Sequence, residues 1–199
     1  MGVAVAEKPK GKEKDERRER LLRLLTYEVV DGKPIYYRGY KEVLEGKKQP
    51  EEVMGSSTLQ ARLITSIIKV LLPLEEKGYV ISTGEHGIRT AGGYRAIDVG
   101  VFRKEDIGWE DEYATVGPVL AVEVEVKADV EGSGFLEYVI RKVEDLFSVG
   151  TDKVVWIFTK PKKVFVFEKG KRPTIYDWDE EVELLEGVKV RLSDLLKQP

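Results

Sequence analysis

The chain has 199 residues, 35% of them charged, with a net charge of −3, one histidine and no cysteine. This length suits one domain with a single sizeable core. The absence of cysteine excludes disulfides, thiolate metal sites and a cysteine nucleophile. The lone histidine excludes multi-histidine zinc sites and argues against a Ser-His-Asp triad. The chemistry that remains uses carboxylates, lysine and a metal that prefers oxygen ligands.

The overall composition also bears on partners and habitat. Because the net charge is near zero, any contact with nucleic acid must come from a local patch. The chain has no asparagine, three glutamines and many glutamates and lysines, which indicates a thermophilic source. No apolar run reaches the roughly 18 residues of a membrane span, and the N-terminus lacks the apolar core of a secretory signal. We therefore expect a cytoplasmic protein.

The N-terminal segment differs from the rest of the chain. Residues 7–20, EKPKGKEKDERRER, are almost entirely charged, and basic residues outnumber acids. We predict a disordered arm over residues 1–20, whose end can wind into a helix with Leu21, Leu22, Leu24 and Leu25. Charge blocks of this kind are usually solvated, and phosphate contact is the functional alternative. Residues 21–199 are predicted to form a single domain, because they show neither a repeat nor a second boundary.

The first elements of this domain are a hairpin and a helix. The stretch TYEVVDGKPIYYRG, residues 26–39, predicts a hairpin with an Asp-Gly turn. Ser56 or Ser57 then caps a helix that runs to about Leu72. Gln60 lies off the apolar stripe of this helix.

Two valine-rich strands follow, and both carry acids. In YRAIDVGVF, Asp98 lies on the face opposite the isoleucine and valine stripe. In AVEVEVKAD, residues 121–129, the alternation places Glu123, Glu125 and Lys127 on one face. One face of each strand therefore belongs in a hydrophobic core, and the other face is either exposed to solvent or part of a functional site.

The remaining elements predict the fold class. A helix over about 135–149, strands over 153–159 and 163–169, and a short helix over about 192–197 complete the chain. Strands with helices on both sides predict an α/β (α+β) sandwich around a mixed sheet. The strand at 163–169 is a candidate edge for a homodimer.

The acidic strands suggest a metal site. A buried carboxylate at Asp98 is costly unless it is paired, and Glu123 and Glu125 on a neighbouring strand would repel it. A hard cation such as Mg²⁺ removes that repulsion, and it accepts carboxylates, water and substrate phosphate as ligands. Lys127 could orient a water or stabilise developing negative charge. This set suits phosphodiester cleavage without histidine or cysteine.

These motifs resemble a known superfamily. Glu125-Val126-Lys127, with Asp98 on the preceding strand, resembles the PD-(D/E)xK nucleases. Residues 26–195 resemble one branch, the restriction-endonuclease family long catalogued as a domain of unknown function. The phrases that carry this likeness are TYEVVDGKP, STLQARLITSIIKVL, YRAIDVGVF, GPVLAVEV and RKVEDLFSVGTDKVVWIF. The resemblance implies a restriction-endonuclease-like core, a central mixed sheet flanked by helices, with Mg²⁺ or Mn²⁺ held by acids on adjacent strands.

The superfamily and the branch assign the second acid differently. The superfamily motif selects Glu125 and Lys127, whereas the branch pattern selects Glu123, with Lys142 as the cation. Both make Asp98 a metal ligand. We predict Asp98 and Glu123 as ligands, Glu125 as a near neighbour or third ligand, and Lys127 and Lys142 as rival cations.

One further match, one departure from the pattern and a structural alternative accompany this assignment. Gln60 matches a recurrent polar residue on the first helix of the branch, and Ile97 replaces the proline that precedes the ligand aspartate. In the structural alternative, the acidic face is exposed to solvent and carries cross-strand ion pairs. Asp98 then pairs with Arg95 or Arg103.

The predicted function is a Mg²⁺- or Mn²⁺-dependent endonuclease, a hydrolase of phosphodiester bonds with DNA as the favoured polymer. The alternative is a catalytically silent nuclease-fold protein that serves as a nucleic-acid or protein interaction module. Hydrolysis of a small phosphoester uses the same residues and stays open.

Overall fold

The fold is given by a computed structural model that describes residues 10–130, 132 and 134–197. The helices are α1 (Lys10–Leu24), α2 (Tyr40–Leu44), α3 (Pro50–Met54), α4 (Thr58–Leu71), α5 (Gly134–Ser148) and α6 (Leu192–Leu195). The strands are β1 (Thr26–Val30), β2 (Lys33–Tyr36), β3 (Tyr79–Thr90), β4 (Gly93–Arg103), β5 (Leu120–Val124), β6 (Lys153–Phe158), β7 (Lys163–Glu168), β8 (Thr174–Asp177), β9 (Val182–Leu185) and β10 (Val188–Val190).

Eight strands form one mixed sheet. The order is β2-β1-β4-β5-β6-β7-β8, and β3 also pairs with β4. Strands β5 and β6 are parallel, while the other pairs are antiparallel. A parallel pair needs a crossover connection, and α5 lies in this one. The predicted α/β class, with a central mixed sheet and flanking helices, is confirmed.

Helices cover both faces of the sheet because each presents an apolar stripe to it. On one face Leu63, Ile67 and Leu71 of α4 pack in a core that includes the valines of β5. On the other face Val139 and Leu146 of α5 pack in a second core. Asp98 and Glu123 lie on central strands between these two layers, so both are buried.

The acidic strand is shorter than predicted. Strand β5 ends at Val124, and Glu125 follows with a left-handed backbone, φ 66°. Val122 and Val124 pack in the α4 core, whereas Val126 packs in the α5 core. The expected alternation of Glu123, Glu125 and Lys127 on one face is therefore wrong beyond Val124, because the chain turns out of the strand there.

The N-terminal part of the chain contains more helix than expected. Helix α1 begins at Lys10, within the arm predicted for residues 1–20, while residues 1–9 lie outside the described residues. Residues 11–20 are exposed. The boundary at residue 21 stays a prediction. Within the described residues, every helix is too short or too polar to span a bilayer.

The candidate dimer strand is not an edge. Strand β7 pairs with β6 on one side and with β8 on the other. The pairing with β8 removes the free edge that residues 163–169 were expected to offer. The homodimer itself stays a prediction.

Candidate active site

Asp98 and Glu123 come together through the pairing of β4 and β5. Val99 lies opposite Val122 at the end of this antiparallel pair, and Asp98 and Glu123 are the chain neighbours of these two valines. The two carboxyl groups are close enough for the Asp98 charge to raise the pKa of Glu123. The side chains are 3% and 2% exposed respectively. The sequence thus places two buried carboxylates side by side at the centre of the sheet.

Both oxygens of Asp98 are engaged. Oδ2 accepts a hydrogen bond from the backbone N–H of Val124 at 2.8 Å, and Oδ1 accepts one from Lys127 Nζ at 3.0 Å. The partner of Asp98 is therefore Lys127. The structural alternative expected an arginine as this partner. Arg95 instead pairs with Glu28 and Asp145, and Arg103 pairs with Asp152.

Lys127 lies between two carboxylates. Its Nζ is 3.0 Å from Asp98 Oδ1 and 2.8 Å from Glu85 Oε1. Tyr37 donates its hydroxyl to the other Glu85 oxygen at 2.7 Å. Burial alone would lower the pKa of Lys127, but Asp98 and Glu85 outweigh it and raise the pKa above its usual value. Lys127 is therefore an ammonium at neutral pH.

Glu123 pairs with Lys142, which α5 brings down onto the sheet. Lys142 Nζ lies 2.9 Å from Glu123 Oε1, and this oxygen has no partner in hydrogen-bond geometry among the described residues. Burial raises the pKa of Glu123 to about 8; the Asp98 charge adds to the rise and Lys142 opposes it. Below that pH the carboxyl of Glu123 is largely protonated.

Glu28 of β1 explains why Lys142 fails to keep Glu123 ionised. The same ammonium lies 2.8 Å from Glu28 Oε1, and Arg95 Nη1 lies 2.8 Å from Glu28 Oε2. Tyr138 also donates its hydroxyl to Glu28 at 2.7 Å. Burial would raise the pKa of Glu28, but Lys142 and Arg95 outweigh it and lower the pKa. Glu28 thus holds the negative charge that faces Lys142.

Glu125 does not join this cluster. Its carboxylate accepts from the backbone N–H and the hydroxyl of Thr159, just after β6. Trp156 Nε1 donates to the Glu125 carbonyl at 2.8 Å, and the Glu125 N–H donates to the Ile157 carbonyl at 2.8 Å. These contacts hold the left-handed turn and direct the side chain toward β6, so the three-carboxylate group expected from strand alternation does not form.

Gln60 contacts the site through the backbone. Its Nε2 donates to the carbonyl of Val124 at 3.3 Å. Gln60 also forms a capping box with Ser57 at the start of α4, since its Oε1 accepts from the Ser57 N–H at 3.0 Å. Gln60 therefore ties the end of β5 to the first turn of α4, next to Asp98 and Glu123.

The two rival cations differ in access. Lys127 and Asp98 line a pocket of about 300 Å³, together with Glu85. Lys142 is 1% exposed and is enclosed by Tyr27, whose ring centroid lies 5.4 Å from its Nζ, and by the backbone of β4. A ligand in this pocket would contact Lys127 directly. Lys142 is buried and affects the site only through its contact with Glu123.

The donor set fits Mg²⁺ in type but supplies few ligands. Within the described ranges, no group of three or more histidine, cysteine, aspartate or glutamate side chains is arranged to hold a metal. Asp98 and Glu123 nevertheless provide two carboxylates; the Glu123 oxygen without a hydrogen bond is Oε1, which lies 2.9 Å from Lys142 Nζ, so a metal ion would compete with this ammonium. Mg²⁺ commonly takes one or two carboxylates and completes its shell with water and phosphate, so this pair suffices in principle.

Sequence reasoning missed Glu28 and Glu85. Glu28 interrupts the pattern TYEVV at a position that is 0% exposed, and an acid in a buried hairpin strand was the available signal. Glu85 has a left-handed backbone, φ 56°, at an irregularity of β3. No local sequence pattern predicts this irregularity.

Comparison with known proteins bears on the fold. No protein-family model and no curated protein sequence matches the chain. Among solved structures it is similar to a crystal structure from Anabaena variabilis, described as a "putative nuclease" belonging to DUF820. The TM-score is 0.63 at 14% sequence identity, over 84% of this chain and 88% of that one. At this identity the likeness concerns the fold.

Proposed function

We propose that this protein is a metal-dependent endonuclease of the PD-(D/E)xK type that hydrolyses phosphodiester bonds in DNA. The observation that supports this most is the pair of buried carboxylates, Asp98 and Glu123, on adjacent antiparallel strands, each contacted by a lysine ammonium. The fold shared with a protein described as a putative nuclease agrees with it. The absence of cysteine and the single histidine leave carboxylates and lysines as the groups for this chemistry.

Asp98 and Glu123 would hold Mg²⁺ or Mn²⁺. The ion, when bound, supplies positive charge that polarises a phosphoryl oxygen and lowers the pKa of a water. Asp98 is held ready by the Val124 N–H. Glu123 must lose its proton before it can bind a metal, since metal binding requires the deprotonated ligand. Gln60 fixes the end of β5 that carries Glu123.

Lys127 is the cation that faces the substrate in this proposal. It lines the pocket with Asp98, and its ammonium can stabilise the charge that develops on the attacked phosphate. Glu85 positions that ammonium through a 2.8 Å contact. Lys142 is a positioning residue, because it is buried and its ammonium contacts Glu123 rather than the substrate pocket. Glu125 has no ligand role here.

A cleavage assay tests the proposal. Plasmid DNA, single-stranded DNA and RNA are incubated at elevated temperature with Mg²⁺, Mn²⁺ or EDTA, using the native chain, Asp98→Ala and Asp98→Asn. We expect metal-dependent cutting of DNA that both variants lose. The conservative Asp98→Asn retains the size of the side chain, and a melting curve shows whether each variant is folded. Cutting that persists in a folded Asp98 variant would reject this site.

The silent alternative also has an observation in its favour. Each candidate ligand already has a resident cation, Lys127 for Asp98 and Lys142 for Glu123. A protein with this arrangement could retain the fold and bind nucleic acid or protein without cutting. Calorimetric titration with Mn²⁺ separates the two functions: the nuclease should bind Mn²⁺ and lose affinity in Asp98→Asn, whereas the silent protein should bind none specifically.

A further inference from the structure

The outer face of α4 has an unusual charge pattern for this chain. Residues 53–74 contain no aspartate or glutamate, although 35% of the whole chain is charged. The only charged residues in this stretch are Arg62 and Lys69, and both are exposed on α4. The stretch itself therefore contributes cations and no acid, in a chain whose net charge is −3, and the exposed Lys69 is the cation on which the following argument depends.

A groove of about 390 Å³ runs along this face, here called the α4 groove. Its polar lining consists of hydroxyls and cations, namely Ser56, Thr58, Thr65, Ser66, Arg62 and Lys69. Hydroxyls, lysine and arginine are the side chains that contact phosphate oxygens of nucleic acids. Among the described residues no carboxylate belongs to this lining, so an anion in the groove meets the hydroxyls and Lys69 there.

The α4 groove adjoins the candidate active site. Ser56 lines both the α4 groove and the pocket that contains Asp98 and Lys127. A larger groove of about 670 Å³ reaches Lys127 from the other side. Its lining carries five carboxylates against four cations, namely Glu42, Glu45, Glu52, Glu125 and Asp129 against Arg38, Lys41, Lys48 and Lys127. A polyanion therefore meets less repulsion along α4 than on that side.

We propose that the α4 groove binds the phosphate backbone of the DNA strand that enters the candidate active site. The link to cleavage rests on the proposed nuclease function, whereas the binding itself does not. Lys69 contacts phosphate as a point charge, and the hydroxyls along the helix fix the path of the strand. The groove reads backbone rather than bases, so binding there is independent of sequence.

The test is DNA binding in EDTA, where metal-dependent cleavage is stopped. Fluorescence anisotropy with a single-stranded oligonucleotide compares the native chain with Lys69→Glu and with Ala61→Glu, which adds a carboxylate at an exposed helical position in the groove. Lys104→Glu is the matched control, since Lys104 is exposed on the turn after β4 and the substitution changes the net charge equally.

We expect Lys69→Glu to weaken binding at about 50 mM salt and to weaken it less at about 200 mM, because one phosphate contact fewer reduces the salt slope by about one. Ala61→Glu should weaken binding in the same direction, and Lys104→Glu should leave the slope unchanged. Equal slopes in Lys69→Glu and Lys104→Glu would overturn the proposal.

A small substrate separates this inference from the proposed function. Bis(p-nitrophenyl) phosphate needs only the pocket of Asp98, so Lys69→Glu should hydrolyse it at the native rate while cutting DNA more slowly. If Lys69→Glu lowers both rates equally, the groove has no role of its own and the inference fails. If the native chain hydrolyses neither substrate but shows the predicted salt slopes, the nuclease proposal fails and the groove stands.

Discussion

Glu123→Gln tests the central electrostatic feature of the candidate site. Burial raises the pKa of Glu123 to about 8, because the Lys142 ammonium, which Glu123 shares with Glu28, only partly opposes the rise. Glutamine has the shape of a protonated glutamate but cannot ionise. The substitution therefore removes one titration from the buried cluster while it leaves the packing almost unchanged.

The sign and size of the effect follow from proton linkage. Below the usual glutamate pKa both folded and unfolded chains hold the proton, so the contribution of Glu123 to stability is complete. As pH rises toward about 8, the unfolded chain releases this proton while the folded chain keeps it, and the free energy of unfolding falls by about 1 kcal/mol per pH unit. Glu123→Gln escapes this loss, which amounts to about 4 kcal/mol between roughly pH 5 and 8.

Urea unfolding at several pH values between 5 and 8, with EDTA present, measures this difference directly. The stability of Glu123→Gln relative to the native chain should rise steadily with pH. Glu76→Gln, at an exposed glutamate in the turn after α4, is the control and should show a constant difference. A constant difference for Glu123→Gln as well would mean that Glu123 is ionised throughout, and would refute the division of charge between Glu28 and Glu123.

Three further substitutions test individual residues. Glu125→Gln should leave Mn²⁺ affinity unchanged, because its carboxylate turns toward β6; a tenfold loss by calorimetry would restore it as a ligand. Lys142→Met should destabilise the fold by roughly 3–5 kcal/mol in urea unfolding, since the buried Glu28 carboxylate loses one of its cations and Glu123 loses the ammonium beside it. The double variant with Glu28→Gln should recover part of that loss, and no recovery would contradict the pairing. Lys127→Ala should lower kcat more than it raises KM, with partial rescue by Lys127→Arg; a change in KM alone would mean that Lys127 only binds substrate.

The parts of the site that depend on local pattern were predictable. The alternation in YRAIDVGVF and the first half of AVEVEVKAD placed Asp98 and Glu123 on buried strands, and β4 and β5 do pair. The start of α4 was also predictable, because the capping residue Ser57 and its partner Gln60 lie three positions apart. These features arise from neighbours in the sequence, where side-chain period and capping chemistry act directly.

The parts that depend on distant contacts were not predictable. Glu125 leaves the strand pattern because Trp156 and Thr159, more than 30 positions away, hold its turn. Lys142 and Glu28 are separated by more than 100 positions, and only the assembled sheet brings them together. Their burial is a tertiary outcome, which alternation in either segment alone does not reveal.

Helix α1 begins closer to the N-terminus than the helical end predicted for the arm, and the signal for this longer helix was local. The acids Glu13, Glu16 and Glu19 each precede an arginine by four positions. Acid-before-base pairs at this spacing stabilise exposed helices. A charged block with this order favours a solvated helix over a disordered arm, and composition alone conceals the difference.

Charge balance links metal binding to substrate binding at this site. A divalent cation held by Asp98 and Glu123 would add two positive charges to a site that already contains the Lys127 and Lys142 ammonium groups. A phosphodiester beside the ion would supply a negative charge. Opposite charges attract more strongly in a buried site than in water, so metal and phosphodiester should each strengthen the binding of the other.

This reciprocity is measurable by Mn²⁺ titration with oligonucleotides whose linkages resist cleavage. A phosphorothioate strand keeps the negative charge and should tighten Mn²⁺ binding, whereas a methylphosphonate strand of the same sequence is uncharged and should not. Equal Mn²⁺ affinity with both strands would show that Asp98 and Glu123 bind metal without regard to the substrate charge, and would refute the coupling.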